Sequence, residues 1–575
     1  MADSLISMSI SPPDGGEDND SAPEAVARNQ GRYLMNLLTD RPGQVRIRGG
    51  ITHIVEFQAN LTQGKPIVPW VHNNALLIGK AGTAGGTREP WVAPYRRAAA
   101  AGTLAQANTT IEYVDTSAAT SSDVAGARDT VPGHAWTRLG GSVWGVAYDN
   151  ATSDLVNGGY RPRTSLLQWG GTAAVPTAYV NGPRGFQAIR AHLNRLFVGG
   201  GMKPGTTTYG DNSLYWSDDG GPTADTVAMW QDDVSGLTNE FVIDTSAGSD
   251  FIVALAKAGR ALVVLKRYSV HVFLGDSPAT FSTRPVSYEL GCIDPRSVVE
   301  FEDAVYFMSE RGYMGFDGST LESMTPNLRS TIGAMANYYC GDNGQDGGFV
   351  SAGRLSDGYL GLTVGQRQFN TSADTGADAR ILNVAKRSTS RISSTALETL
   401  VPHTWARSGR AVVGVSQQRV WNLENLTSPE RQITGSSRHV DVDSIGTVKT
   451  ITAYFDSRVV QLADPVRRSQ LQRLLVDYRA DHAPADSISP ISAEIHTWDN
   501  TGANTTLATF TAGSNAVPTA SAGPTRRQLN GDAYHEAADV YVRLTLTSSQ
   551  ASYLEHGAIY NSWIIFKPSY QRRTR

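Results

Sequence analysis

The stretch RLFVGGGMKPGTTTYGDNSLYWSDDGG, residues 195–221, carries the pattern that decides the fold. A short apolar strand, RLFVGG, is followed by a glycine-rich break and by a second strand, SLYW, which ends in an acidic turn. Short apolar strands separated by turns rich in Gly and Asn are typical of antiparallel meanders. The stretch therefore predicts strand, loop, strand and turn within a single small sheet.

Similar units recur from about residue 40 to residue 435. They include the segments WGVAYDN (144–150), FIVALAKAGRALVVLK (251–266), SVHVFLGD (269–276), AVYFMSERGYMGFDG (304–318), GYLGLTV (358–364) and RVWNL (419–423). Each meander is too small to bury its own apolar face, so many in a row must pack radially or stack. The sequence therefore predicts an all-β fold built on a β-propeller of six or seven blades.

Longer strands with alternating apolar residues follow the propeller region. Val540, Val542, Leu544 and Leu546 alternate with polar residues, which is typical of a strand with one buried face. Residues 470–479, QLQRLLVDYR, also fit a helical period, but strand-like neighbours favour a strand. We expect a C-terminal β-sandwich domain over residues 439–575.

Composition shifts along the chain predict the remaining boundaries. Residues 1–28 are acidic and rich in Pro, Gly and Ser, so we expect a flexible N-terminal arm before a propeller over 29–438. A Gly-, Ala- and Ser-rich region near 84–130 reads as an insertion in the propeller. The chain ends in a basic tail, for which we expect subunit or adaptor contacts through Arg572, Arg573 and Arg575.

Charge and cysteine content limit the possible functions. The chain has 575 residues, a net charge of −4 and two cysteines, without a metal-like spacing. No global basic surface favours tight nucleic-acid binding, and the cysteines are expected to be free thiols in a reducing compartment. The N-terminus lacks the basic and apolar regions of a signal peptide, and the apolar runs are too short to span a membrane. We therefore expect synthesis in a cytoplasm and no membrane insertion.

The acidic turn SDDGGPT (217–223) resembles the Asp-box of sialidases. Ser217, Asp219, Gly221 and Thr223 fit the box, but Ala224 stands where the box has Trp. A simpler interpretation is a turn in which Asp side chains cap backbone N–H groups and Gly adopts positive φ. We expect this turn to close a blade hairpin and to face solvent or a neighbouring subunit.

The sequence contains no recognisable catalytic or metal motif. The histidines form neither HxH nor HExxH, and neither a GxSxG elbow nor a P-loop occurs. A group of acidic residues lacks calcium-loop spacing and is expected to be exposed surface; it comprises Asp211, Asp218, Asp219, Asp225, Asp232 and Asp233. The sequence therefore predicts a protein that is not an enzyme, with no catalytic residues, no cofactor and no metal.

Four segments in close succession carry a resemblance to a known family. They are NRLFVGG (194–200), SLYWSDDGGP (213–222), FIVALAKAGRALVVLKRYSVHVFLGDSP (251–278) and LGCIDPRSVVEFEDAVYFMSERGYMGFDGSTLESMT (290–325). Their order resembles the β-propeller structural proteins of phage tails, including the tail nozzle, or tail tubular protein B, of short-tailed phages and related tail hub proteins. The resemblance covers residues 190–330 well and the rest by architecture.

The resemblance implies a structural virion protein of the tail, assembled in the host cytoplasm. Such proteins form a homo-oligomeric ring, typically a hexamer, below the portal and its adaptor, and they neighbour tail fibre or needle proteins. Genome DNA passes along the ring axis, so the ring serves as a conduit and possible gate. A mildly acidic chain suits a conduit, because each cation that neutralises a phosphate adds affinity for the passing DNA.

Two alternatives remain open from the sequence. A propeller-based glycan hydrolase or lyase would need two carboxylates on facing loops, or an arginine cluster around a sugar carboxylate. A receptor-binding tail module would stack sugars on exposed aromatic residues. The candidates for stacking are Trp91, Trp136, Trp144, Trp169, Trp216 and Trp230, although we expect most of them to lie in blade cores.

Overall fold

A computed structural model gives the architecture of the chain. The structure describes residues 6–39, 42–56, 65–72, 75–81, 95–97, 104–106, 136–156, 159–169, 177–179, 181–183, 186, 188–206, 208, 210–232, 235–243, 250–340, 348–356, 358–366, 375–392, 404–408, 411–416, 419–423, 426–427, 440–442, 448–462, 469–479, 491–497, 506–511, 525–529, 536–537, 539–548 and 558–568.

Five strands precede the first complete blade. They are β1 (Ile6–Ile10), β2 (Gly31–Met35), β3 (Leu37–Leu38), β4 (Val45–Ile47) and β5 (Thr52–Glu56).

Six antiparallel four-stranded units then follow in chain order, each with its strands adjacent in sequence order; the first five are separate sheets, and the sixth belongs to a larger sheet. Blade 1 comprises β6 (Lys65–His72), β7 (Ala75–Ala81), β8 (Tyr95–Arg97) and β9 (Leu104–Gln106). Blade 2 comprises β10 (Trp136–Leu139), β11 (Ser142–Val156), β12 (Gly159–Trp169) and β13 (Thr177–Tyr179). Blade 3 comprises β14 (Ala188–His192), β15 (Arg195–Gly199), β16 (Ser213–Trp216) and β17 (Glu240–Val242).

Blades 4 to 6 repeat this arrangement. Blade 4 comprises β18 (Ile252–Ala258), β19 (Ala261–Lys266), β20 (Val270–Leu274) and β21 (Ser282–Ser287). Blade 5 comprises β22 (Val299–Phe301), β23 (Ala304–Ser309), β24 (Gly312–Phe316) and β25 (Leu321–Ser323). Blade 6 comprises β26 (Gly348–Ser356), β27 (Tyr359–Gln366), β28 (Thr375–Asn383) and β29 (Ser388–Arg391).

The seventh blade is assembled from two distant parts of the chain. Three of its strands, β30 (Thr404–Ser408), β31 (Ala411–Ser416) and β32 (Arg419–Asn422), are consecutive. The fourth is β5, which pairs antiparallel with β32. The described residues therefore form seven four-stranded units, and the predicted all-β propeller fold is confirmed.

The first strand of each sheet lies nearest the propeller axis. The first strands of blades 2 to 7 contact one another in order, from β10 to β30, and β30 also contacts β6 of blade 1. Neighbouring blades approach most closely around the central channel of a propeller. Residues in the middle of these first strands are therefore placed at the axis.

The cores of the propeller lie between blades. One cluster joins Phe197 and Trp216 of blade 3 to Leu255 and Phe273 of blade 4, and comparable clusters join blades 4 to 5, 5 to 6 and 6 to 7. Each fully buried apolar side chain of this size contributes roughly 2 kcal/mol. Gly291 is required for one such contact, because a Cβ there would lie 2.3 Å from the Arg267 carbonyl oxygen of blade 4.

Ten strands follow the propeller. They are β33 (Val440–Val442), β34 (Val448–Ser457), β35 (Val460–Gln461), β36 (Ser469–Arg479), β37 (Ile491–Thr497), β38 (Thr506–Thr511), β39 (Thr525–Leu529), β40 (Glu536–Ala537), β41 (Asp539–Ser548) and β42 (Ala558–Pro568). Residues 470–479 form a strand, as preferred from the sequence.

Nine of these strands, all except β33, form two sheets that share one core. One sheet contains β36, β39, β40 and β42, and the other contains β34, β35, β37, β38 and β41. Leu474 and Val476 of the first sheet pack with Phe455, Val542 and other apolar residues of the second. The alternating strand pattern at Val540–Leu546 therefore buries one face, as its period requires.

The N-terminal segment was expected to be a flexible arm over residues 1–28, but residues 6–28 are built into the fold. Strand β1 pairs with β42, and Ile10 belongs to the core between the two C-terminal sheets. Glu17 and Asp18 are buried. The acidic composition suggested disorder, but Glu17 pairs with buried Arg380 of β28, and Asp18 accepts hydrogen bonds from the Asp20 and Ser21 backbone N–H groups.

The propeller was expected to begin at residue 29, but in the structure it begins later. Strands β2, β3 and β4 pair mainly with the C-terminal strands β34 and β42 rather than with a blade, and β5 is the first strand of the propeller. Most of the predicted insertion near 84–130 lies outside the described residues. Two short strands within that range, β8 and β9, complete blade 1.

Helical structure is confined to short segments among the described residues. Single 3₁₀ turns occur at Val227–Trp230, Pro278–Thr280, Pro295–Ser297 and Pro326–Leu328. The last of these runs into a π-helical turn, Arg329–Gly333, and then into α1 (Ala334–Cys340). Ile332 and Ala336 of this segment pack into the core between blades 5 and 6.

Candidate functional site

A group of charged side chains lies at the propeller axis, where three consecutive first strands carry a charge in their middle. These residues are Arg190 on β14, Lys257 on β18 and Glu300 on β22. In each strand the residues on both sides of the charged one are buried, while the charged residue is half-buried. The strand period therefore places the three charged residues on the opposite sheet face from their buried neighbours.

Glu300 holds the group together. Its Oε1 accepts a hydrogen bond of 2.7 Å from the Lys257 backbone N–H, and its Oε2 forms an ion pair with Arg190 Nη2. Arg190 and Glu300 belong to blades 3 and 5, so their contact passes the first strand of blade 4. About a quarter of each side chain is exposed, 25% for Arg190 and 24% for Glu300, so the pair remains accessible.

Burial shifts the proton affinities of three groups here. Desolvation raises the pKa of Glu300, against the opposing effect of Arg190. Desolvation and the nearby Arg190 lower the pKa of Lys257. His192, at the end of β14, has its pKa lowered to about 4 by burial and then by Lys257 and Arg190. A concentration of shifted titratable groups in a half-exposed position is typical of a functional site.

The cations of this group exceed its carboxylates. Glu300 neutralises one positive charge, and His192 is neutral near pH 7 because its pKa is about 4. Within the described residues the Lys257 ammonium group has no hydrogen bond or ion pair, and the buried Nε of Arg190 has no acceptor. The group therefore has spare donors and a net positive charge, which suit an anionic ligand.

The chemistry that this group can support is limited by its single hydrogen-bonded carboxyl group. Glu300 has the raised pKa expected of a general acid, but most glycosidases use a pair of carboxyl groups about 5–10 Å apart. Binding of a negatively charged group is therefore the property that the described side chains support most directly.

Sequence reasoning missed this site. Arg296, the arginine nearest to Glu300 in the sequence, pairs with Asp294 at 2.6 Å. The signal in the sequence is a single charged residue between buried small or apolar neighbours, in AIRAH, ALAKA and VVEFE. That signal can be read only after the strands have been assigned to equivalent positions in successive blades.

The acidic turn has a structural role that differs in part from the expected one. It does not close a tight hairpin, because residues 217–239 connect β16 to β17 through the 3₁₀ turn Val227–Trp230. Gly220 and Gly221 do adopt positive φ, 83° and 90°. The Ser217 hydroxyl accepts a 2.9 Å hydrogen bond from the Leu196 N–H, and exposed Asp219 accepts one from the Asn194 side chain. The turn therefore braces the β14–β15 hairpin.

The other residues singled out by sequence fall into three groups. Trp144, Trp216 and Trp230 are buried, as expected of blade packing, and are not exposed for sugar stacking. Trp91 lies outside the described residues, and the side chains of Trp136 and Trp169 are not among those described. The contacts predicted for the chain terminus also lie outside the described residues, since Arg572, Arg573 and Arg575 are not part of them.

A second polar cluster, in blade 4, has the residue types of a hydrolase triad but not its geometry. Ser269 donates to Asp250 Oδ2 at 2.5 Å and lies 2.9 Å from His271 Nε2. Because the hydroxyl proton points to Asp250, His271 must donate to Ser269 and cannot act as its base. All three residues are buried, so the cluster holds the interior of the blade together.

The described residues contain neither a group of metal ligands nor a membrane-spanning helix. Across the described ranges, no group of three or more His, Cys, Asp or Glu side chains is arranged to hold a metal ion. No helix in the described part of the chain has the length and apolar character to cross a membrane. Both cysteines are free, and burial raises the pKa of Cys292 to about 12.

Comparison with known proteins returned structural similarity alone. No family model and no curated protein matches this chain. The Trypanosoma rangeli sialidase in complex with the inhibitor DANA is similar over 77% of this chain and 91% of its own, at 8% identity and a TM-score of 0.30. YCF48 bound to D1 peptide is similar over 65% of this chain and 94% of its own, at 10% identity and a TM-score of 0.32.

A third similar structure is the exo-β-1,3-galactanase of Phanerochaete chrysosporium, over 76% of this chain and 96% of its own, at 9% identity and a TM-score of 0.22. Several of the similar structures are thus glycoside hydrolases. This finding contradicts the prediction that the chain is not an enzyme, and that prediction is withdrawn. At these identities and TM-scores, the similarity assigns neither a reaction nor a substrate to the chain.

Proposed function

We propose that this chain is a β-propeller structural protein of a phage tail. The observation that carries the proposal is how the family-like segments map onto the fold. Residues 194–222 supply the second and third strands of blade 3, residues 251–278 supply three strands of blade 4, and residues 290–325 supply blade 5 with its leading turn. The resemblance thus covers consecutive structural units, not scattered positions.

The connectivity supports a role that carries mechanical load. The N-terminal segment contributes β1, β3 and β4 to a C-terminal sheet and β5 to blade 7. Buried ion pairs fasten it at two places, Glu17 to Arg380 at 3.0 Å and Arg48 to Asp441 at 2.8 Å. A force that separated the propeller from the C-terminal sheets would have to break these strand pairings and buried charges together.

In the proposed particle the chain forms a ring below the portal and its adaptor, most simply of six copies, with genome DNA passing along the ring axis. Cryo-electron microscopy of purified particles tests this directly. We expect six copies at the tail axis, next to the adaptor. Density for the chain in the capsid shell or on peripheral fibres would contradict the proposal, even though the propeller itself would be unchanged.

A second candidate function is action on, or binding of, a glycan, and the axial charged group favours it. The sequence left open a propeller with an arginine cluster around a sugar carboxylate, and Arg190 and Lys257 supply one arginine and one further cation at the axis. Purified protein can be tested against a panel of neutral and acidic oligosaccharides for binding and for released sugar.

The matched variants for that panel are Glu300→Gln at the axis and Glu289→Gln on the surface, where the Glu289 side chain is 75% exposed. If the axial site acts on glycans, E300Q changes turnover or binding and E289Q leaves both unchanged. Glycan activity that is the same in both variants, or no activity on any oligosaccharide of the panel, would remove this candidate.

A further inference from the structure

We infer that the axial group formed by Arg190, Lys257 and Glu300 is a binding site for a small oxyanion, a carboxylate or a phosphate group. Nothing in the tail role requires such a site. The inference does not rest on either proposed function, because it follows from the charges and hydrogen bonds of the group itself.

The first argument is the balance of charge. Two cations, Arg190 and Lys257, meet one carboxylate in a position that is only partly solvated. Burial and then the nearby Arg190 lower the pKa of Lys257, as expected for a partly desolvated cation beside another cation. A bound anion relieves the repulsion between the two cations and compensates for the hydration that Lys257 has lost by burial.

The second argument is the supply of unused donors. Lys257 has three ammonium hydrogens without a protein acceptor among the described residues, and Arg190 Nε is buried without one. Buried polar groups nearly always have hydrogen-bond partners, so the buried Arg190 Nε needs an explanation, and the half-buried Lys257 ammonium group is a further donor beside it. Carboxylate and phosphate oxygens are the acceptors that guanidinium and ammonium groups bind most strongly.

The third argument is that the Arg190 guanidinium is held in place without a ligand. Its Nη2 is fixed by Glu300, and Glu300 is fixed by the Lys257 backbone N–H at 2.7 Å. Less side-chain freedom is therefore lost when an anion binds, which favours affinity. The three blades supply one residue each, so the site exists only when blades 3, 4 and 5 pack together.

The test uses purified full-length protein and isothermal titration calorimetry at constant ionic strength, with sodium glucuronate, sodium phosphate and glucose as probes. We expect glucuronate or phosphate to bind and glucose not to bind. Tighter binding of glucuronate points to an acidic sugar as the natural ligand, and tighter binding of phosphate points to a phosphorylated one. If neither anion binds, the inference is wrong.

Variants distinguish a binding site from a structural cluster. Lys257→Gln should weaken anion binding about tenfold or more, since one charge-assisted donor is lost. Glu300→Gln should strengthen it, because removing the carboxylate leaves both cations uncompensated. The matched control is Lys203→Gln. The Lys203 ammonium group pairs with Glu240 at a distance of 3.0 Å and does not lie on a first strand, so K203Q should bind the anions like the wild type.

Thermal unfolding of each variant checks that the fold is retained. Among the described residues the Lys257 side chain makes no hydrogen bond or ion pair, so K257Q should unfold at nearly the same temperature as the wild type. Binding that is equal in K257Q and the wild type, or weaker in E300Q than in the wild type, would overturn the assignment. Failure of the tail proposal in the particle would leave these results unaffected.

Discussion

At the scale of single residues, the sequence predicted turns better than it predicted charged contacts. The positive φ of Gly220 and Gly221 could be read from SDDGG, because local backbone geometry depends on adjacent residues. The ion pair of Arg190 with Glu300 could not be predicted from the sequence, since it joins residues 110 positions apart across an intervening blade. Turn geometry depends on adjacent residues and can be predicted from them, whereas the candidate site depends on how the strands of different blades are aligned.

The acidic turn gives a direct test of which side chain stabilises it. Ser217 is fully buried and its hydroxyl accepts from the Leu196 N–H, so Ser217→Ala leaves that donor unpaired. We expect a loss of about 1–3 kcal/mol in the free energy of unfolding. Asp219→Asn affects an exposed contact and should change the free energy of unfolding by less than about 0.5 kcal/mol. Urea unfolding of both variants measures the difference, and equal losses would contradict the assigned roles.

His192 predicts a pH dependence of stability. Its pKa is about 4 in the folded protein and near the ordinary 6.5 when unfolded, so the unfolded state binds the proton first as the pH falls. Stability present above pH 6.5 is lost progressively down to about pH 4, at most about 3 kcal/mol from this group. The groups facing His192 include Lys257, Arg190 and Asp276.

His192→Gln removes this titration while keeping a polar side chain of similar length. The difference in unfolding free energy between pH 7 and pH 4.5 should be smaller in H192Q than in the wild type. An identical difference in the two proteins would show that His192 does not carry the effect.

At the scale of elements, the sequence indicated the blade strands but not the course of the N-terminal segment. Alternation and turn spacing are properties of each meander, so blades 3 to 6 could be predicted one at a time. The residues around Glu17 looked like a disordered acidic arm, because composition does not show that Arg380 and Arg391, more than 360 residues later, provide partners.

The pairing of Glu17 with Arg380 can be tested by substitution. Both side chains are almost fully buried, at 0% and 1% exposure, so Glu17→Gln leaves a buried cation with less compensation. We expect a loss of about 3 kcal/mol in unfolding free energy. The control is Glu322→Gln, whose ion pair with Arg387 is roughly half exposed and should contribute less than about 1 kcal/mol. Comparable effects from both substitutions would contradict a special role for the buried contact.

At the scale of the whole molecule, the propeller followed from composition and repetition, because a row of small meanders has few ways to bury its faces. The way in which blade 7 is completed could not be predicted from the sequence. Blade 7 takes its fourth strand from residues 52–56, and no pattern within that short strand shows that it pairs with residues 419–422. The sequence therefore suggested two domains in series, whereas the N-terminal strands belong to the C-terminal sheets and to the propeller.

This connectivity predicts that the protein unfolds as one unit. Two independent domains in series would give two calorimetric transitions. Here the segment 6–56 crosses between the regions, and the buried Arg48–Asp441 pair couples β4 and its following residues to β33. Differential scanning calorimetry of the full chain should show a single transition. Replacing Asp441 with Asn removes the negative charge that pairs with the buried Arg48 guanidinium group. The unfolding transition should therefore move to lower temperature or split in two. Two well-separated transitions in the wild-type chain would show instead that the shared strands do not couple the regions.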